Sequence, residues 1–185
     1  AADGYYPSRV AYLRALREGT LPSWEPNASG GWPLVADPYY GYFYPLNFVF
    51  YLGPRAGEPD GGLASGIPSG LGYSVALHAL LAGVGMFLFL SRRSAGPGRT
   101  PLPFFASLLG AISFALSSFL VVRVRHVIFV QMMAWLPFLM AAIDDYVATR
   151  RRRSLALCAL FTGLLLLSGA HSILHFAALL LAAYA

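Results

Sequence analysis

The sequence predicts an all-α membrane protein: a polytopic bundle of transmembrane helices with a large extracytoplasmic loop region. The chain of 185 residues is 57% hydrophobic and only 11% charged, whereas ordinary soluble domains are about 25% charged. Its mean hydropathy is +0.60. Long apolar runs fill residues 71–185, and residues 1–70 are rich in Gly, Pro and aromatic side chains. Only helices or closed barrels satisfy the backbone in lipid, and unbroken runs of Leu and Ala are helical.

The distribution of charge also indicates a membrane. All 13 basic residues are arginine. Residues 1–70 contain four arginines and six acids, a balance of −2, and residues 71–185 contain nine arginines and two acids, a balance of +7, which gives the total of +5. A basic chain could bind nucleic acid, but here the arginines stand at the ends of apolar runs, as in membrane proteins. The expected partner is therefore the lipid bilayer, and no nucleic acid is expected.

Residues 1–70 divide into three predicted segments. Residues 8–18 form a short helix, because Pro7 and Ser8 favour a helix start and Gly19 a helix end. Apolar residues intrude among its arginines, which favours a helix lying in the membrane interface. Residues 24–47 form an ordered loop, and residues 53–70 read as a flexible linker because of their Gly and Pro content.

The loop of residues 24–47 contains an unusual aromatic cluster. Five of the six residues from Tyr39 to Tyr44 are aromatic, with only Gly41 between them. Tyr39, Tyr40 and Tyr44 either form an interfacial aromatic belt or present a platform to a sugar or a polar head group. The prolines of the loop restrict the backbone, so we expect the loop to be ordered against the membrane or its neighbours.

Five apolar runs follow, at about residues 71–90, 101–122, 127–146, 155–168 and 173–185, the last of them truncated. The first has 20 residues without a charge, enough to cross a hydrocarbon core of about 30 Å. Small residues four apart, such as Ala79 and Gly83, favour close helix contacts. Because the sequence opens and stops within such patterns, we expect a fragment of a longer protein, with a span before Ala1 and several after Ala185.

The polar joints between the runs predict the orientation. Three arginines lie in residues 91–100 and four in residues 150–153. If each run crosses once, these two joints share a side, which the positive-inside rule assigns to the cytoplasm. Residues 1–70 and the joint around residues 123–126 are then extracytoplasmic. An outward pair, Arg123 and Arg125, is well placed to hold a lipid phosphate, unless the two side chains merely reach to head groups.

Polar residues on the predicted outer side are candidates for chemistry. Asp3 and Asp37 could accept a proton from a hydroxyl or hold a divalent cation, and Arg123 could neutralise a phosphate leaving group. The plain alternatives are a solvated residue near a terminus for Asp3 and an Asp-Pro turn for Asp37. His126 and His171 are either polar groups at helix ends or part of the same site. No metal-ligand spacing, phosphate loop or nucleophile elbow occurs, and the single Cys158 is expected to pack as a small apolar residue.

Several stretches together resemble the YfhO-like bacterial membrane proteins, which are similar to glycosyltransferases of the GT-C architecture. The resemblance covers nearly the whole chain, and the order of the pieces is more specific than any one of them. The pieces are DGYYP (3–7), REGTLPSWEP (17–26), GGWPLVADPYYGYFYPLN (30–47), LHALLAGVGMFLF (77–89), ISFALSSFLVVRVRH (112–126), QMMAWLPFLMAAID (131–144) and LLLLSGAH (164–171).

The resemblance implies a glycosyltransferase that uses a polyprenyl-phosphate-linked sugar donor and a cell-envelope lipid or polymer as acceptor. In such enzymes an acidic residue lies just beyond the first span, and Asp3 falls there as the expected general base or metal-assisted group. No cofactor is certain, and a divalent cation at Asp3 is possible. The family usually has Gly where this chain has Arg125, which favours Arg123 as the phosphate ligand. It usually has Pro after the His that matches His171, which leaves the role of His171 open.

Two other functions remain open at this point. A transporter or lipid-handling protein could use the same cavity without chemistry, and a structural or sensory membrane subunit would need no site. A transporter should place ionisable residues near the middle of its spans. Only His78 and His175 fit that description, which favours the enzyme.

Overall fold

The computed structural model describes residues 11–12, 15, 18–21, 23–25, 30–37, 40–47, 63–92, 102–169, 175–176, 178–179 and 182, with only the backbone of residues 63–69 and 125. Among these residues the all-α prediction is confirmed, since the only β pairing is an isolated bridge between Glu25 and Trp32. Five α-helices and one 3-10 turn follow one another. They are α1 (Leu63–Arg92), α2 (Phe104–Ala115), α3 (Ser118–Val122), the 3-10 turn Arg123–Arg125, α4 (Val127–Thr149) and α5 (Arg152–Leu167).

Three helical stretches in the described part of the chain are long and apolar enough to cross a membrane: Gly70–Arg92, Phe104–Val122 and Val127–Thr149. They correspond to the first three predicted runs. The fourth run forms α5, which at 16 residues is shorter than the about 20 that a span needs. In the fifth run, the described residues have helical backbone.

The first helix begins earlier than the sequence predicts. The expected span started at residue 71, after a linker of residues 53–70, but α1 starts at Leu63 and takes in the last eight residues of that linker. The linker was predicted because Gly and Pro lower the intrinsic helix propensity. Propensity is a weak guide, however, where tertiary contacts or the preference for Pro near a helix start determine the conformation. The prediction of a linker up to residue 70 is therefore corrected: of residues 53–70, those from Leu63 onward belong to the helix.

The second predicted run is interrupted rather than continuous. α2 ends at Ala115, and Leu116 has φ −102° and ψ 16°, outside the helical region. The Ser117 hydroxyl then accepts a hydrogen bond from the Leu120 N–H, with an N···O distance of 3.5 Å, and so caps α3. A serine side chain that binds a nearby backbone N–H competes with a continuous helix and favours a new start.

The core lies around α4, which packs against both α1 and α5, while α1 also packs against α2. One apolar cluster consists of Ile128, Phe129, Met132, Leu136, Leu139 and Leu165. By contrast, α2 leaves large apolar side chains such as Phe105 and Leu109 exposed. In a membrane protein such a face is suited to lipid chains or to further helices.

Glycines allow the helices to approach one another closely. A methyl group added at Gly83 would lie 3.4 Å from the Ala115 Cβ, and one added at Gly110 would lie 2.5 Å from a Leu90 methyl. These contacts occur in the helix pair α1–α2. They agree with the prediction that small residues such as Gly83 lie at helix contacts.

The helices alternate in direction, so the bundle has two distinct ends. The Leu102 N–H donates to the Leu90 carbonyl at 3.2 Å, which joins the start of α2 to the end of α1. Arg150 adopts a left-handed conformation and its N–H donates to the Tyr146 carbonyl, which ends α4 just before α5. We call this side the arginine end, because Arg92 and Arg150–Arg153 lie on it. The opposite side, with the turn Arg123–His126 and the C-terminus of α5, is the loop end.

Candidate functional site

The aromatic loop contains a small hairpin-like turn that positions Asp37. The backbones of Glu25 and Trp32 exchange two hydrogen bonds, of 2.8 and 2.9 Å. Gly30 and Gly31, with φ of +80° and +119°, allow the turn because glycine adopts positive φ at little cost. The Trp32 indole N–H then donates to Asp37 Oδ2 at 3.0 Å. The Asp37 carboxylate is half-buried and held at the base of this turn.

Three tyrosines form a stack beside it. The ring of Tyr12 stacks on Tyr42 with 4.3 Å between centroids, and Tyr40 stacks on Tyr42 at 5.4 Å. Tyr12 and Tyr42 are buried, whereas Tyr40 is half-buried. Part of the Tyr40 ring is therefore exposed, while the buried rings of Tyr42 and Tyr12 pack behind it and restrict its movement.

Tyr44 links the loop to the bundle through a directed chain of hydrogen bonds. The Trp135 indole N–H donates to the Tyr44 hydroxyl oxygen at 2.6 Å. His78 Nδ1 lies 2.6 Å from the Ser74 carbonyl, which can only accept, so Nδ1 carries the proton. Nε2 of His78 must then accept from the Tyr44 hydroxyl, 2.6 Å away. The donor and the acceptor of each hydrogen bond in this chain are thereby assigned, and Tyr44 and His78 are fully buried.

Burial also controls the ionisation of Tyr44. Removal from water raises the pKa of the Tyr44 hydroxyl well above the usual tyrosine value, and the hydrogen bond from Trp135 opposes this to a smaller extent. Tyr44 is thus a neutral hydroxyl that donates to His78 throughout the physiological range.

A second set of buried amides lies next to this chain. The Asn47 Nδ2 donates to the Gly41 carbonyl at 2.9 Å, so its Oδ1 faces Gln131, whose Nε2 donates to it at 2.7 Å. The same Nε2 group donates to Ser74 Oγ at 3.2 Å. Gln131 Oε1 is buried and has no hydrogen-bond partner among the described residues. The Asn47 side chain therefore joins the two ends of the segment 41–47 and fixes the segment to α4 through Gln131.

Gly41 brings the loop against α5 as well. Its φ is +57°, and a Cβ atom built on it would lie 2.7 Å from the Ser168 carbonyl oxygen. No other residue has both the conformational freedom and the small size that this contact requires. The segment 41–47 thus contacts three helices at the loop end of the bundle.

The turn before α4 carries the candidate cation. The Arg123 guanidinium lies above the Phe129 ring, 5.0 Å from its centroid, and 5.8 Å from that of Phe119. The His126 ring contacts the same Phe129, with 5.7 Å between centroids. Arginine over an aromatic face is stabilised by the ring quadrupole, and its in-plane N–H groups can still bind an anion. Arg123 and His126 are both half-buried.

The loop and this turn meet at one end of α4. Gln131, which binds Asn47, is five residues after His126, a rise of about 7.5 Å along the helix axis. The structure thus places Arg123, His126 and the loop residues on the same side of the bundle. Of the other predicted site residues, Asp3, Tyr39 and His171 lie outside the described residues.

A sequence profile of the bacterial membrane protein YfhO family matches residues 23–167. The chain belongs to the YfhO family. No curated protein and no solved structure matches it. Within this YfhO chain the match takes in the aromatic loop and all five helices, but Asp3 and His171 lie outside it.

Sequence reasoning missed four residues that hold the YfhO loop in place: Asn47, Ser74, Gln131 and Trp135. Ser74 and His78 are four residues apart, as are Gln131 and Trp135, and such pairs share one face of a helix. Gln131, a polar residue in an apolar run, could have indicated a buried hydrogen bond, because polar side chains inside membrane proteins are usually paired. The partners themselves come from distant parts of the chain, and spacing could not identify them.

A metal site is not evident in the described part of this YfhO protein, where no three His, Cys, Asp or Glu side chains cluster. Asp37 is paired with an indole N–H instead. The chemistry that the described residues can supply is a cation from Arg123, an imidazole from His126 and hydrogen bonds from the loop.

Proposed function

We propose that this YfhO protein is a membrane glycosyltransferase. It moves a sugar from a polyprenyl-phosphate-type lipid donor to a cell-envelope lipid or polymer on the extracytoplasmic face. The observation that supports this most is the hydrogen bond between Asn47 and Gln131. It fixes the aromatic loop about 7.5 Å along α4 from the turn that carries Arg123 and His126, so a polar loop and a cation lie at one end of the bundle.

Arg123 and His126 act on the donor in this proposal. When the bond between the anomeric carbon and the phosphate oxygen breaks, negative charge grows on that oxygen. A cation fixed beside it stabilises the transition state more than the ground state. Arg123 suits this role because two phenyl rings hold it, and no carboxylate forms an ion pair with it among the described residues.

The acceptor side is formed by the loop and by Asp3. The acceptor hydroxyl has a pKa far above 7 and needs a carboxylate to take its proton as its oxygen attacks the anomeric carbon. Asp3 is assigned as that base, alone or with a divalent cation. Asp37, Tyr39 and Tyr40 shape the acceptor side, His171 contributes to binding, and Tyr44 positions the loop through His78 and Trp135.

Membrane vesicles containing the full-length protein provide the test. They are supplied with radiolabelled UDP-glucose or UDP-N-acetylglucosamine to load endogenous polyprenyl phosphate, and label reaching the envelope fraction is counted. We expect Asp3→Asn and Arg123→Gln each to lower transfer by about a hundredfold or more, the usual scale for such groups.

Arg125→Gln is the matched control, since it removes the same charge from the same turn. It should retain most of the transfer activity. Full transfer by Asp3→Asn would remove Asp3 from the mechanism. Equal losses of transfer activity in Arg123→Gln and Arg125→Gln would mean that the turn acts through its overall positive charge and not through a specific contact of Arg123. Absence of any transfer by the unmodified protein with both donors would count against the enzyme itself.

The transporter alternative depends on His78, which lies near the middle of α1. Both nitrogens of its ring are already engaged, one with Tyr44 and the other with Ser74. A transport site needs a group that can bind and release its cargo. The arrangement of His78 therefore supports a positioning role and favours the enzyme over the transporter.

A further inference from the structure

A cavity at the arginine end, far from the proposed transfer site, has a separate role. It has a volume of about 570 Å³ and opens between α1, α4 and α5, within the range of about 300–1,000 Å³ typical of ligand sites. Its walls are apolar and include Leu88, Phe138, Leu157 and Phe161. Phe138 and Phe161 stack on each other with 5.3 Å between centroids, so this wall is preformed.

The rim of the cavity is cationic. Arg92, Arg151 and Arg153 line it together with a single carboxylate, Asp145, which leaves a net charge of +2 from three arginines and one aspartate. The Asp145 carboxylate already accepts a hydrogen bond from the Ser154 hydroxyl. That bond joins α5 to α4. The positive charge of the rim comes from its three arginines, which outnumber the one carboxylate.

The start of α5 adds hydrogen-bond donors to the same rim. Arg151 is its N-cap residue and makes no side-chain cap, and the first turn contains no acidic residue. The first N–H groups of a helix have no intrahelical acceptor and attract anions. Together with the arginines they form a site for a group with several acceptor oxygens.

The position of the rim specifies the kind of ligand. Arg92 is the last residue of α1, and Arg151 and Arg153 stand at the start of α5, so the rim lies where apolar helices end. Charged helix ends mark the membrane boundary. A ligand that fills the cavity must then carry an anionic group at the boundary and apolar chains below it.

We propose that this cavity binds an anionic phospholipid, with its phosphate between Arg92, Arg151 and Arg153 and its acyl chain against the phenylalanine wall. Basic pockets between helix ends are suited to such head groups. The site is at the opposite end of α4 from Arg123 and does not depend on the proposed glycosyl transfer.

Native mass spectrometry of the full-length protein in an uncharged detergent tests this site, with dioctanoyl phosphatidylglycerol as the probe. We expect one saturable lipid. The double variant Arg151→Gln/Arg153→Gln should raise its Kd by about 25-fold, at about fivefold for each arginine. Dioctanoyl phosphatidylcholine should bind much more weakly to the unmodified protein, because its head group has no net charge.

The matched control is Arg150→Gln/Arg152→Gln, which removes the same charge from the same joint but not from the cavity lining. Its Kd should stay within about twofold, because neither Arg150 nor Arg152 lines the cavity. Ala141→Leu provides a second variant that leaves all charges in place and fills part of the wall. It should weaken phosphatidylglycerol binding by a factor similar to the double variant.

Four results would overturn the proposal. Equal losses in the two double variants would mean diffuse attraction rather than a site. Phosphatidylcholine binding as tight as phosphatidylglycerol would remove the role of the arginines. Displacement of the lipid by an equal concentration of inorganic phosphate, or unchanged binding in Ala141→Leu, would mean that the cavity holds a soluble anion and not a lipid.

Discussion

At the scale of single residues, Tyr44 shows how the loop is held. Its neighbours Tyr40 and Phe43 are half-buried and exposed, yet Tyr44 is fully buried and hydrogen-bonded to His78 and Trp135. A hydroxyl that both donates and accepts is required there, because its neighbours supply one acceptor and one donor. Neither phenylalanine nor a smaller residue meets both conditions.

Tyr44→Phe should destabilise the protein by about 2–6 kcal/mol. The variant leaves the Trp135 N–H and His78 Nε2 without partners, and each unpaired buried group costs about 1–3 kcal/mol. Thermal unfolding in detergent measures the change. Tyr73→Phe is the control, because Tyr73 is exposed on α1, and it should shift stability by less than about 0.5 kcal/mol. Equal shifts in the two variants would contradict the hydrogen-bond chain.

The stabilisation by Tyr44 should depend on pH in the alkaline range. Burial raises the pKa of its hydroxyl, so the folded protein keeps the proton longer than the unfolded chain does. The contribution is therefore complete below the ordinary tyrosine pKa of about 10 and is lost as the pH rises above it. The stability difference between the unmodified protein and Tyr44→Phe should be constant from about pH 7 to 9 and shrink above about pH 10. A difference that stays constant at higher pH would show that Tyr44 has an ordinary pKa.

At the scale of helices, small residues determine how closely the elements pack. A Cβ atom added at Gly85 of α1 would lie 2.8 Å from two ring carbons of Phe138 in α4. That ring cannot easily move, because it contacts Trp135 and Phe161. Gly72, also in α1, has nothing within 4 Å of such an atom.

The two glycines should therefore respond to alanine with opposite signs. Alanine is favoured over glycine in a helix by about 1 kcal/mol, so Gly72→Ala should stabilise the protein slightly. At Gly85 the added methyl group should cost about 1–3 kcal/mol through overpacking, for a net loss. Unfolding temperatures of the purified variants in one detergent give the comparison. A stabilising Gly85→Ala would mean that α1 and α4 can separate at this crossing.

The sequence predicted helices well where apolar runs are continuous and poorly where local chemistry competes. Residues 127–146 were predicted as a helix, and α4 extends to Thr149, since nothing in the run interrupts it except Pro137. The break at Leu116 was not predicted, because residues 101–122 form one uninterrupted apolar run in the sequence. Of the site residues, Arg123 and His126 could be identified from the sequence, because they flank an apolar run. The contacts of Tyr44 and Asn47 depend on residues far away in the chain, which periodicity does not reveal.

At the scale of the whole molecule, the two ends of the bundle should face opposite sides of the membrane. Gly62→Cys and Ser94→Cys, each in a Cys158→Ala background, would be introduced at opposite ends of α1. In intact cells an impermeant thiol reagent should label the first and not the second, because arginine-rich joints stay in the cytoplasm. Permeabilised cells, in which both should react, provide the control. Labelling of the second variant alone in intact cells would reverse the orientation.

The hydrogen bond between Trp135 and Tyr44 spans 91 residues, and this has a consequence for biosynthesis. Ribosomes add about 5–20 residues per second, so Tyr44 is added to the growing chain roughly 5–18 seconds before its partner Trp135. Ser168, which Gly41 contacts, follows later still. The aromatic loop is therefore among the first parts of the described chain to be translated and among the last to reach its final place.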